Sequence, residues 1–170
     1  MTHPLVLQLK FTRNEFKRGL KNVSAEDAQK HFGPMNCISW IVGHMAWQEQ
    51  HYWLTRAQGQ TILPELNKLT ANGAPMSTPP RDEMWAAWKT VTEAAEPYLQ
   101  SLTTEMLPTF MIVRGKPHSE SVGSMLRRVT YHYWYHNGEA QAIRQLLGHT
   151  KLGQFVGAIH DEAPYIPENI

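Results

Sequence analysis

TYHYWYHNGE, residues 130–139, decides the fold, because it places two histidines on a helix face that otherwise points at a core. Positions on this face recur every three or four residues, and they are Met125, Val129, His132, His136, Ala140, Ile143 and Leu147. Thr, Tyr and Trp favour a strand locally, but the length of the 3.6-residue period favours a helix. The stretch therefore predicts a long amphipathic helix with imidazoles on its buried side.

His132 and His136 lie four residues apart, which places them about 6 Å apart along the helix axis and on one face. Two imidazoles in this arrangement can bind one metal ion. The alternative is that both are core histidines, each satisfied by hydrogen bonds to its neighbours. The pair alone does not separate these two interpretations.

Four long helices are predicted along the chain, and together they favour an all-α helix bundle. The first carries the apolar face Leu5, Leu9, Phe16 and Leu20, and the second runs from a cap at Asn36 to about Gln58. The third opens at residues 78–80 and is interrupted by Pro97, and the fourth runs from Ser119 or Ser121 to Gly148. Ser24 is predicted to cap a short additional helix.

Three stretches do not fit the helical period. Residues 59–80 contain Gly and Pro throughout and are predicted to be a surface crossover. Residues 110–117 are β-branched and bounded by Gly and Pro, which predicts a short extended segment or hairpin. The tail from residue 152 to 170 is expected to pack irregularly across the bundle.

Composition excludes several classes of protein. Sixteen basic residues nearly balance 15 acidic ones, so nothing indicates a partner that is nucleic acid or an anionic membrane. No stretch approaches eighteen apolar residues, so no membrane span is expected. The single cysteine, Cys37, suits a reducing cytoplasm. At 170 residues the chain is expected to form one domain, residues 1–170, in the cytoplasm.

His44 is the third candidate ligand, because it lies in the middle of the buried face predicted for the second helix. Gly43 beside it would let another helix or a ligand approach the backbone closely. Glu139 lies seven residues after His132, on the same face. It is a candidate catalytic group that orients an imidazole or acts as a base on bound water, and the alternative is a solvated charge.

Two short motifs carry a family resemblance: Gly43-His44-Met45 followed by Glu49, and His132-x-x-x-His136-x-Gly138. In this order and spacing they resemble the DinB/YfiT-like superfamily over nearly the whole chain. The resemblance implies a four-helix bundle with up-down-down-up topology and long crossover connections. It also implies a divalent-metal site at His44, His132 and His136. The family often has Gln where this chain has Glu139.

Members of that family include metal-dependent transferases that use low-molecular-weight thiols such as bacillithiol or mycothiol. Independently, three imidazoles leave positions open on a metal ion, and such an ion makes a bound water or thiol nucleophilic at neutral pH. Imidazole suits zinc, nickel, iron and copper alike, and we expect zinc or nickel. We therefore expect a transferase acting on a small-molecule thiol. The alternatives are a metal-dependent hydrolase and a non-catalytic metal- or ligand-binding protein, such as a dimeric stress-response protein.

Overall fold

Helices make up most of the protein in the computed structural model, which describes residues 2–154 and 156–167. The four longest are α1 (Pro4–Gly19), α3 (Ile38–Glu49), α5 (Arg81–Gln100) and α6 (Val122–Leu146), and α3 continues directly into a π-helix over Gln50–Arg56. The shorter helices are α2 (Ala25–Ala28), α4 (Leu66–Leu69), a 3₁₀ turn over Thr104–Met106 and α7 (Ile159–Glu162). The predicted hairpin is confirmed: β1 (Phe110–Val113) pairs antiparallel with β2 (Lys116–Ser121). The all-α prediction therefore holds apart from this hairpin.

Several helix ends lie where the sequence placed them. Ser24 accepts a hydrogen bond from the backbone N–H of Asp27 at 3.0 Å. Ser121 caps α6 in the same way, because its side chain accepts a hydrogen bond from the backbone N–H of Ser124. Gly148, with φ of 79°, follows the end of α6 and adopts the left-handed conformation that glycine tolerates. The predicted cap at Asn36 is wrong, because α3 begins one residue later, with Cys37 in the cap position and no side-chain cap.

Two further expectations need correction. α5 is not broken at Pro97 but continues to Gln100, so the proline lies inside its last turn. The connection over residues 59–80 is not merely a surface crossover. It contains α4, and it buries the side chains of Leu66, Thr70 and Ala71. These burials come from tertiary packing, which the local Gly and Pro content does not encode.

The core lies around α3, whose residues from Ile38 to Glu49 are buried except for Trp47, which is half-buried. α3 packs against α4, α5 and α6, while α1 packs against α6. A helix that is apolar on nearly all sides belongs in the interior of a fold. This position lets a side chain on α3 meet side chains from α6 inside the protein.

A buried polar network joins four helices. Arg13 on α1 donates two hydrogen bonds to the carboxylate of Glu49 on α3, at 2.7 and 2.6 Å. The hydroxyl of Tyr133 on α6 donates to Glu49 Oε1 at 2.8 Å and accepts from Trp88 Nε1 on α5 at 2.7 Å. Burial alone would lower the pKa of Arg13, but the adjacent Glu49 carboxylate raises it overall, so the guanidinium stays charged.

The sequence predicted that the C-terminal tail packs irregularly across the bundle, and the described part of the tail packs on α1; residues 155 and 168–170 lie outside the described residues. Gln8 donates to the carbonyl of Ala163 at 2.8 Å, and the N–H of Gly157 donates to Glu15 at 3.0 Å. Glu15 also accepts a 2.7 Å hydrogen bond from Arg18 Nε, so one carboxylate joins a turn of α1 to the tail. Within the part of the chain that the structure describes, no helix has both the length and the apolar character needed to cross a membrane.

Candidate metal centre

Three histidines from two helices converge in the interior. His44 extends from α3, and His132 and His136 extend from successive turns of α6. Each offers one ring nitrogen, and these three nitrogens all lie within 4.8 Å of one another. We call these residues the histidine cluster. The structure thus brings together the three residues that the sequence singled out as metal ligands, and the cluster could hold a metal ion.

His44 is held from three directions. Its ring is stacked between Trp40, with centroids 4.6 Å apart, and Trp47, with centroids 5.4 Å apart. Its Nδ1 lies 2.7 Å from the carbonyl oxygen of Thr70. Burial lowers the pKa of His44 to about 4, so the ring is neutral at pH 7. A neutral ring that donates its Nδ1 proton to Thr70 presents a free lone pair on Nε2.

His136 is oriented in the same way by a carboxylate. Its Nδ1 lies 2.7 Å from Oε2 of Glu139, one turn further along α6. With the Nδ1 proton donated to Glu139, the lone pair of His136 lies on Nε2 and faces His132 Nε2 at 3.0 Å. This contact supports the orienting role expected of Glu139, since outer carboxylates fix metal-binding imidazoles in this manner.

The remaining member, His132, has an unusual environment for a core histidine. Burial, followed by the neighbouring imidazoles of His136 and His44, lowers its pKa to about 3, so it is neutral at pH 7. Its Nδ1 is buried and has no hydrogen-bond partner among the described residues. A core histidine kept only for packing would be expected to satisfy both nitrogens.

The cluster fits a divalent metal ion in its donor set and its dimensions. Zinc–nitrogen bonds of about 2.0–2.1 Å in a tetrahedron place the ligand nitrogens about 3.4 Å apart. The nitrogens of the cluster span distances from 3.0 Å to at most 4.8 Å, so small side-chain shifts reach that geometry. Neutral imidazoles are the protonation state that coordination requires.

Gly43 allows the close packing beside His44, as expected from the sequence. A Cβ at this position would overlap Met84 Sδ and would lie 2.7 Å from Cγ2 of Thr70. Because Thr70 supplies the carbonyl that holds His44, the glycine lets the supporting segment reach the imidazole. A larger residue at position 43 would displace the Met84 side chain and press against Thr70.

A cleft of about 760 Å³ opens beside the cluster, and both His44 and His132 lie on its wall. Aromatic side chains form much of its lining, namely Trp47, Tyr52, Tyr131 and Tyr135. A small organic molecule in this cleft would therefore contact the imidazoles directly. The histidine cluster could therefore activate a chemical group of a ligand that reaches it from the cleft.

Two nearby residues with possible ligand atoms, His51 and Cys37, do not join the cluster. His51 lies in the π-helix and stacks on Trp47 at 5.2 Å between ring centroids. Trp47 in turn stacks on His44, so this ring lies between His51 and the cluster. Burial, followed by the nearby Arg56 and His118, lowers the pKa of His51 to about 4. Cys37 is fully buried, and its Sγ lies 3.2 Å from Ser39 Oγ.

Sequence reasoning missed the supports of His44. The Thr70 carbonyl is a backbone group, so the amino-acid sequence does not reveal its role. The two tryptophans that stack on His44 could have been identified from their spacing. Trp40 and Trp47 lie four residues before and three residues after His44, the spacing that places side chains next to one another on a helix.

The family comparison agrees with this geometry. A family model described as the DinB superfamily matches residues 8–140, a range that includes the histidine cluster and Glu139. No curated protein matches the sequence significantly. Since the family model covers well over half of the chain, the protein belongs to the DinB superfamily.

Proposed function

We propose that the protein is a metal-dependent transferase that activates a low-molecular-weight thiol, with His44, His132 and His136 as the metal ligands. One observation carries the proposal: the three imidazoles lie with their nitrogens within 4.8 Å of one another, and two of them, His44 and His132, line an open cleft. Structural zinc sites are usually closed by four protein ligands, whereas three ligands leave a position for substrate. The expected ion is zinc or nickel.

A divalent ion bound here would favour the deprotonated form of a coordinated thiol, which is the nucleophile in transfer reactions. The protein's own part is to fix the imidazoles and shape the approach. Thr70 and Glu139 hold the Nδ1 protons of His44 and His136, so both rings direct Nε2 inward. The cleft then sets which molecules approach the imidazoles.

Glu139 has two proposed roles, and its position favours one. While it accepts the Nδ1 proton of His136 at 2.7 Å, it acts through the imidazole and is a positioning residue. A role as catalytic base would require the carboxylate to leave this partner and reach a bound water or thiol. The orienting role needs no such movement.

The proposal extends to architecture and context. We propose that α1, α3, α5 and α6 form a single-domain four-helix bundle with up-down-down-up topology, spanning residues 1–170. The formal net charge of +1 supports a small-molecule partner over nucleic acid or a membrane surface. A cytoplasmic location fits the single cysteine, and a homodimer is the proposed assembly.

Metal content tests the ligand set. Protein purified without an affinity tag should contain close to one equivalent of zinc or nickel by elemental analysis. Replacing any member of the histidine cluster with Ala should reduce bound metal sharply, because two imidazoles hold an ion far less tightly than three. His149→Ala is the matched control, since His149 contacts Asp27 and Arg144 instead. Full metal content in the His132→Ala or His136→Ala protein would refute the assignment.

Cobalt(II) substitution tests the activity class. Titrating bacillithiol, mycothiol, glutathione or cysteine into the cobalt protein should produce a saturable sulfur-to-cobalt charge-transfer band. The band should be absent in His44→Ala and unchanged in Cys37→Ser, because Cys37 is fully buried against Ser39. A spectrum that changes with pH but not with thiol would favour the hydrolase. A spectrum that responds to neither would favour the non-catalytic binding protein.

A further inference from the structure

The cleft beside the histidine cluster carries one uncompensated charge. Its charged lining residues, apart from histidine, are Glu120, Arg127 and Arg128. Glu120 accepts hydrogen bonds of 2.7 and 3.0 Å from Arg128 Nε, so these two neutralise each other. Arg127 is exposed and has no acidic partner among the residues that the structure describes. The cleft therefore has a net positive charge at Arg127.

A carboxamide oxygen without a hydrogen-bond partner is buried beside this cleft. Gln48 follows His44 by one helical turn, lines the cleft and is only 6% exposed. Its Oε1 is buried and makes no hydrogen bond within the described part of the chain. A buried carbonyl oxygen without a partner is unfavourable. If the Gln48 side chain rotates toward the cleft, this oxygen can accept a hydrogen bond from a polar group of a ligand.

Aromatic rings continue the same wall. Arg127, Tyr131 and Tyr135 follow one another at intervals of four residues on α6, so they share a helix face. The side chains of Tyr131 and Tyr135 are 66% and 69% exposed, which is unusual for such large rings. Tyr135 also lies parallel to the ring of His132, with centroids 6.3 Å apart. The wall thus runs from a cation, over two flat rings, to the metal centre.

We propose that the cleft binds a small carboxylate with a flat apolar body. Arg127 pairs with the carboxylate, the body packs along Tyr131 and Tyr135, and Gln48 hydrogen-bonds a polar group near His44. Arg127 and His132 are five positions apart, or about 7.5 Å along the helix axis, and both line the cleft, so a molecule of one ring and a short chain is a suitable probe. This proposal rests on the proposed function and names the class of its second substrate, the molecule that reacts with the thiol, and Arg127 is the specificity-determining residue for that substrate.

The test uses the metal-free protein, because the cleft residues invoked do not depend on the ion. 3-Phenylpropionate and its uncharged amide, 3-phenylpropionamide, are titrated in parallel by calorimetry and by ¹⁵N NMR. The acid should bind about tenfold more tightly than the amide, the effect expected of one hydrogen-bonded charge pair in an open cleft. Binding should weaken with added salt. Acid binding should shift the side-chain N–H signals of Arg127 and Gln48.

Substitutions of Arg127 test whether this residue binds the carboxylate. Arg127→Gln should weaken acid binding about tenfold and leave amide binding unchanged, whereas Arg127→Lys should retain part of the preference. Lys151→Gln, which changes the net charge equally at an exposed position outside the cleft, should bind the acid as the parent does.

Three results would overturn the proposal: equal affinity for acid and amide, unchanged acid binding in Arg127→Gln, or no binding of the acid to the parent at millimolar concentration. None of these depends on metal, so they are distinct from failure of the proposed transferase function. Loss of metal or thiol binding, in turn, would leave the carboxylate preference intact.

Discussion

Tyr133→Phe removes one oxygen from the centre of the buried polar network and leaves the ring in place. The lost hydroxyl donates to Glu49 Oε1 at 2.8 Å and accepts from Trp88 Nε1 at 2.7 Å. A hydrogen bond to a charged group contributes about 1.5–3 kcal/mol, and a buried donor left unsatisfied costs about 1–3 kcal/mol. Because the two effects overlap, we expect the free energy of unfolding to fall by about 3 kcal/mol.

Urea unfolding followed by far-ultraviolet circular dichroism measures this change, with an unchanged slope expected if only stability is affected. For a protein of this size the same loss lowers Tm by about 6–12 °C. Tyr131→Phe is the matched control, because that side chain is 66% exposed, and its stability should change by less than about 0.5 kcal/mol. If the free energy of unfolding fell by the same small amount in both variants, the buried polar network would contribute nothing specific to stability. The argument from burial would then be refuted.

Two further predictions concern packing and pH. Gly43→Ala should destabilise the protein by about 1–3 kcal/mol, because its Cβ would lie 2.7 Å from Cγ2 of the buried Thr70, whereas Gly138→Ala meets nothing within 4 Å and should be neutral or stabilising by up to about 1 kcal/mol. Similar thermal shifts for the two would contradict this. Hydrogen bonds from Arg18 and then the amide of Gly157 lower the pKa of Glu15 below its ordinary 4.5, so this carboxylate stabilises the docked tail above that pH and loses its effect as pH falls below it. The protection factor of the Gly157 amide, which corrects the exchange rate for its intrinsic dependence on pH, should therefore fall in acid, and Glu15→Gln should abolish that dependence; a protection factor that is insensitive to acid in the parent would exclude the mechanism.

The long helices and the histidine cluster could be predicted because both follow from local periodicity. His132 and His136 share one face of α6 by spacing alone. His44 lies in the middle of a similar face on another helix. Periodicity places all three imidazoles in one core, but it does not place them at the same level along their helices. The family resemblance supplied that part of the prediction, because it implied a metal site shared by His44, His132 and His136.

The buried polar network could not be predicted in the same way. Arg13 and Glu49 are 36 residues apart, and Glu49 and Tyr133 are 84 apart, so nothing in the local sequence pairs them. Each residue by itself resembles an ordinary charged or aromatic side chain on a helix. Their pairing depends on the rotation of α1, α3 and α6 about their axes, which tertiary packing sets.

The π-helix over Gln50–Arg56 was missed for a related reason. The apolar period through this segment is compatible with a regular α-helix, and residue type does not distinguish the two at this length. Segments of this kind occur often at functional sites. Here the π-helix begins one residue after Glu49, at the edge of the buried polar network.

The support of His44 by the Thr70 carbonyl has a consequence for how this protein can change over generations. Every residue type has a carbonyl, so the hydrogen bond that fixes the imidazole does not depend on which amino acid is inherited at position 70. What must be preserved is the path of the main chain through α4, together with the absence of a side chain at Gly43. Relatives with another residue at position 70 that is small enough to pack beside Gly43 could therefore keep the same imidazole orientation, so residue identity there would understate the structural importance of the position.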